Sequence, residues 1–180
     1  IFCGDPNLSS DFLLVDNILY LKCKDTYDYL PIKVYKMLNV ILKIKKFEKV
    51  THIFKIDDHD TKFNNKTISN LKIILNKFTD YCGQKVNFQF TGNNKWHYYK
   101  CPVYSKWYNT PYEGNYTPWV DGGCGYILSR KAMNIITSYY EKEDDIYNYH
   151  IYEDLMIALI LNEYKIYPKK IPKIIEGDKL

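Results

Sequence analysis

Apolar and polar residues alternate along this chain in two rhythms. Residues 1–4 form a short apolar run ending in Gly4, and over residues 18–23 Leu19 and Leu21 alternate with Tyr20 and Lys22; each reads as a strand. Over residues 32–46, Ile32, Tyr35, Leu38, Ile41 and Leu42 share one face at helical spacing. Pro31 stands just before them, where a first helical turn tolerates a missing N–H. Residues 50–56 predict another strand, Val50, His52 and Phe54 alternating with Thr51, Ile53 and Lys55. It stops at the polar run Asp57-Asp58-His59-Asp60. Helical spacing returns over 68–78 through Ile68, Leu71, Ile74, Leu75 and Phe78, and residues 86–90 read as a strand. Ser129 predicts the cap of a helix running to residue 140, followed by an acidic turn at 141–145. Residues 152–164 predict a helix with Glu153 and Asp154 in its first turn, where the helix dipole favours acids. A last strand is expected at 169–175. Residues 93–121, rich in Tyr, Trp, Pro and Asn, have no period, and their length marks a functional loop region.

Strands alternating with helices predict the α/β class with a mostly parallel central sheet, in a single domain over residues 1–180. No repeat or low-complexity linker divides it. Ligands of such sheets bind beyond the carboxyl ends of strands, which is where Asp57 to Asp60 falls.

Composition changes this picture little. The net charge of +4 is mild, and the basic residues are interleaved with acids and aromatics, as in Lys43-Ile44-Lys45-Lys46-Phe47-Glu48. That pattern reads as a solvated helix end, so no nucleic-acid partner is expected. Arg130 is the only arginine, and the abundance of Lys, Asn, Ile and Tyr fits an AT-rich coding sequence. No apolar run approaches the roughly 18–20 residues that span a bilayer, so no membrane contact is expected within these residues. The five cysteines form no Cys-x-x-Cys pair, which argues against zinc and leaves free thiols or up to two disulfides open.

Three segments carry candidate chemistry. The carboxylates of the Asp57 to Asp60 run would repel one another unpaired, and carboxylate oxygens suit Mg²⁺ or Mn²⁺; an exposed polar turn is the plainer alternative. A haloacid-phosphatase motif also begins Asp-x-Asp, but it needs Thr or Val where Lys62 stands. The block Trp119-Val120-Asp121-Gly122-Gly123-Cys124-Gly125 permits close backbone approach beside an aromatic ring that could stack on a sugar; a tight turn with a core tryptophan is the alternative. An acid at the start of the 152–164 helix, beside a cleft, can serve as a general base, or simply cap the helix.

In their order these segments resemble the β-1,3-glycosyltransferases of the fringe and core 1 galactosyltransferase type (glycosyltransferase family 31). The resemblance rests on Phe2-Cys3-Gly4, on residues 24–33, on FKIDDHDTKFN at 54–64, on residues 116–132 and on Glu153-Asp154-Leu155. It implies a GT-A type Rossmann-like domain that lacks the family's first strand. It implies a UDP-sugar donor, a glycan or glycoprotein acceptor, and inverting, Mn²⁺- or Mg²⁺-dependent transfer forming a β-1,3 linkage. The Golgi lumen is the implied compartment; a viral source would place the chain in the host cytoplasm or the virion. By this resemblance Asp58 and Asp60 hold the metal, Asp57, His59, Asp25 and Lys33 line the donor site, and Trp119, Asp121, Gly122 and Gly123 shape the acceptor side. Asp154 is the implied general base, with Glu153 the runner-up. Four residues, three acids and His59, stand where the family has three acids, and no His follows His150 to serve as the family's late metal ligand. A binding module of the same fold that has lost transfer is the alternative.

Overall fold

Three small sheets and five helices build a mixed α/β fold in the computed structural model, which describes residues 1–57, 65–75, 80–88 and 93–172. The first sheet joins β1 (Phe2–Gly4), β2 (Phe12–Val15) and β3 (Ile18–Leu21) in the order β1-β3-β2. The strand β2 was not expected. Its four consecutive apolar residues carry no polar alternation, yet their burial alternates, because one face of the hairpin is solvated. The two-residue turn Asp16–Asn17 closes the hairpin with Asp16 at φ 52°, a left-handed conformation that Asp tolerates.

The first helix, α1 (Leu30–Lys43), places Pro31 in its opening turn and buries Ile32, Val34, Met37, Leu38 and Val40. It ends before the predicted boundary because Ile44 turns extended and the chain enters a 3-10 turn, Lys45–Phe47. The strand β4 (His52–Lys55) lies in a second sheet with β5 (Tyr81–Gly83), β8 (Tyr126–Ser129) and β9 (Lys169–Lys170), in the order β4-β8-β5-β9. Every residue of β8 is buried. A two-stranded ribbon pairs β6 (Val86–Asn87) with β7 (Trp119–Val120).

The described strands do not form the mostly parallel sheet that was expected. Only β1–β3 and β5–β9 run parallel; β2–β3, β4–β8, β5–β8 and β6–β7 are antiparallel. The reason is local. A two-residue hairpin forces the first reversal, and β8, arriving from the glycine turn after β7, inserts against the direction of both its neighbours.

The remaining helices are α2 (Asn65–Leu75), α3 (Arg130–Tyr139), α4 (Glu143–Tyr149) and α5 (Glu153–Glu163). Ser129 caps α3 as expected, accepting from the Ala132 N–H at 3.1 Å. The expected acidic turn at 141–145 is instead the start of α4. Glu143, Asp144 and Asp145 occupy its first turn, where the dipole favours them, and Ile146 anchors it in the core. The helix α5 buries Leu155, Met156, Ile157, Ala158, Ile160 and Leu161, and packs against α1, α3 and β7. A helix apolar nearly all round sits in the interior, so its first turn is held in the middle of the molecule. All five cysteines are free thiols. No helix among the described residues is long and apolar enough to cross a membrane.

Arg130, the single arginine, is a structural clamp. Its Nη1 donates to the carbonyls of Phe47 and Val50 at 3.1 and 3.0 Å, and its Nη2 to that of Leu42 at 3.2 Å. It therefore ties the end of α1 to the approach of β4. A lysine cannot reproduce that planar fork. Arg130→Lys is expected to lower stability by about 1–3 kcal/mol, read from the urea midpoint of unfolding, because carbonyls lose a charged donor.

Candidate active site

The end of β4 and the start of α5 meet across a buried ion pair. Lys55, the last residue of β4, is only 6% exposed. Its Nζ lies 2.7 Å from Asp57 Oδ1 and 3.2 Å from Glu153 Oε1. Burial alone would lower its pKa, but Glu153 and then Asp57 outweigh it and hold the ammonium above its ordinary range. Glu153 Oε1 also accepts from the Tyr126 hydroxyl of β8 at 2.7 Å. A buried charge needs such partners, since an isolated ion would neutralise instead.

This arrangement separates the two adjacent acids of α5. Glu153 is buried and engaged by Lys55 and Tyr126. Asp154 is only part-buried and accepts backbone N–H bonds, from Gly122 to Oδ2 at 3.1 Å and from Leu155 to Oδ1 at 2.8 Å. Desolvation and then the neighbouring Glu153 charge push its pKa up to about 7, against the lowering effect of those N–H donors. A carboxyl poised there can take up a proton near neutrality.

The glycine turn between β7 and β8 makes this approach possible. A Cβ on Gly122 would stand 3.1 Å from Glu153 Oε2 and 3.5 Å from Lys55 Nζ, crowding the ion pair. Gly125 has φ +85°, and a Cβ there would come within 2.8 Å of the Phe54 ring. Asp121 holds the turn from inside: Oδ1 accepts from Gly123 and Cys124 N–H at 3.1 and 3.2 Å, and Oδ2 pairs with Lys85 at 3.0 Å. Although burial works the other way, Lys85 keeps the Asp121 carboxyl below its usual range.

A cavity of about 600 Å³ opens over these residues, within the roughly 300–1,000 Å³ of small-molecule sites. Asp57, Trp119, Asp121, Gly122, Gly123, Glu153 and Asp154, all proposed from sequence, line it together. Asp25 and Lys33 do not. They pair with each other at 2.5 Å, away from the cavity, as the ion pair their spacing along the chain also allowed. Asp58, His59 and Asp60 lie outside the described residues.

Residues 9–172 match the family model described as Galactosyltransferase. The chain belongs to the galactosyltransferase family. No curated protein matches it. The matched span reaches from before β2 to past β9, and so takes in every described residue that lines the cavity. Membership in this family makes the chain a glycosyltransferase, with a donor and an acceptor sugar as its substrates.

Sequence reasoning had not singled out Lys55, Lys85, Tyr126 or His97. Lys55 could have been found as the one lysine of a β-rich run, standing just before the acids. His97 organises the aperiodic 93–121 segment. It is fully buried, its Nε2–H donates to the Thr110 carbonyl at 2.8 Å, and its Nδ1 accepts from the Tyr152 hydroxyl at 2.8 Å. Tyr152 immediately precedes α5, so this bond fixes the loop against the helix that carries both acids.

Lys55→Ala is expected to destabilise the fold by about 3–5 kcal/mol, since Glu153 would be left as a buried unpaired charge. In a denaturant-unfolding double-mutant cycle, Lys55→Ala combined with Glu153→Gln is expected to cost clearly less than the sum of the single changes.

Proposed function

We propose that this galactosyltransferase-family chain is an inverting glycosyltransferase of GT-A type, transferring a hexosyl group from a UDP-sugar to a hydroxyl of a glycan or glycoprotein and forming a β-1,3 linkage, with Asp154 as the general base. The observation that carries this reading is the Asp154 carboxylate, set in the cavity by the Gly122 N–H, where burial and the Glu153 charge push its pKa up to about 7. In the reaction an Asp154 oxygen removes the proton of the acceptor hydroxyl. The hydroxyl oxygen bonds to the anomeric carbon from the face opposite the nucleotide, the bond from that carbon to the phosphate oxygen breaks, and UDP leaves with its electron pair. Asp154 then releases the proton to solvent. Such a base contributes about 10²–10⁴ in rate. Glu153 does not compete for this role, because Lys55 and Tyr126 occupy Oε1. Its charge acts through Asp154 by keeping that carboxyl basic. Trp119 and the glycine turn form the acceptor wall.

The metal is assigned to Asp58 and Asp60 by the family resemblance; both lie outside the described residues. The carboxylate oxygens of Asp58 and Asp60 fit a hard divalent cation in their donor chemistry. When bound, Mn²⁺ or Mg²⁺ would supply Lewis-acid neutralisation of charge on the departing UDP.

Asp154→Asn is expected to lower turnover by about 10²–10⁴ while leaving the Kd for UDP within about twofold, measured by coupled UDP release and calorimetry. In the unaltered enzyme kcat/KM is expected to fall about tenfold per pH unit below a pKa of about 7, as Asp154 becomes protonated. Asp60→Ala is expected to abolish the Mn²⁺ dependence of UDP binding. Full binding and full Mn²⁺ dependence in that variant would remove the metal assignment.

A further inference from the structure

Three lysines line the cavity, and they differ in one respect. Lys55 is paired with Asp57 and Glu153, and Lys85 with Asp121. Lys100 has no carboxylate partner among the described residues. It is held instead by aromatic rings. Its Nζ lies 3.6 Å from the centroid of Trp96 and 5.5 Å from that of Tyr27. A cation against the face of an indole is fixed in place by the ring quadrupole, without its charge being neutralised.

Lys100 belongs to the 93–121 segment, which also carries Trp119, the residue proposed for the acceptor side, and both line the cavity. Tyr27 lines it too, and its ring faces Lys100. Trp96 is 61% exposed, and it lines the cavity together with Tyr116 and Trp119. A sugar ring laid against such rings would bring its substituents within reach of Lys100.

We propose that the acceptor is an anionic saccharide, one whose ring packs against Trp96 and whose carboxylate or sulfate is met by Lys100. The proposal rests on the transferase reading for the word acceptor, but the recognition itself does not need turnover. An unpaired ammonium on the cavity wall gains a charge-assisted contact from an anionic sugar and none from a neutral one.

The test is calorimetric titration of the intact chain with three probes: a glucuronyl-galactose disaccharide, its glucosyl-galactose counterpart, and that counterpart carrying a sulfate. The anionic probes are expected to bind about tenfold more tightly than the neutral one. Lys100→Met keeps the stem over Trp96 while removing the charge. It is expected to bring the anionic probes to the level of the neutral disaccharide and to leave the neutral disaccharide and UDP unchanged. Preference for one anionic probe over the other identifies the group that is read. Equal affinity for all three, no saccharide binding at all, or a Lys100→Met loss shared by the neutral disaccharide or by UDP would overturn the proposal. Anion-selective binding with no transfer to any acceptor would instead sink the transferase reading and leave this one standing. Transfer without charge preference would do the reverse.

Discussion

The contact on which the site depends is the ion pair between Lys55 and Glu153. It joins the last residue of the strand leading into the acidic run to the first residue of the interior helix α5. Neither ion would remain charged in that setting alone, and each is completed by a second partner, Asp57 for the lysine and Tyr126 for the glutamate. Strand, helix and central strand β8 are thereby locked in one relative position. Gly122 suits the same contact, because a Cβ there would stand 3.1 Å from Glu153 Oε2, tighter than most such contacts.

From this lock follows the different character of two neighbouring acids. Glu153 is held by its partners, and its charge, added to desolvation, lifts its neighbour Asp154 to a pKa near neutrality. A raised carboxyl pKa opposes folding. The folded chain binds the proton more tightly than the unfolded chain, so this group's contribution to stability falls as pH rises from about 4 to about 7. A carboxyl with a raised pKa in a cavity is a candidate functional group. The surrounding hydrogen bonds, His97 to Tyr152 and Asp121 to the glycine turn, give the rigidity that such a group needs.

Where the sequence carried a long period, it could be read. The helix α1 with its early proline, the Ser129 cap and the buried helix α5 follow from spacing and cap chemistry. So did the gathering of Asp57, Trp119, the glycine turn and the two α5 acids into one cavity, because the order of motifs carried information that no single motif did. What was illegible has physical causes. Strands of two to four residues such as β5, β6 and β7 are too short to show a period, and direction within a sheet depends on partners far away in sequence. The choice between Glu153 and Asp154 depended on Lys55 and Tyr126, one from each of two other strands. Asp25 and Lys33, eight residues apart on either side of a helix start, pair with each other.

The central claim is that Asp154 is a carboxyl held basic beside a buried Glu153 whose Oε1 is engaged by Lys55 and Tyr126. Its direct test is the titration of the Asp154 side-chain carbon, followed by NMR in aspartate-labelled protein and assigned by its loss in Asp154→Asn. The account predicts a midpoint at about 7, moving downward in Glu153→Gln as the neighbouring charge is removed. A midpoint in the ordinary carboxylate range, unmoved by that substitution, would contradict it.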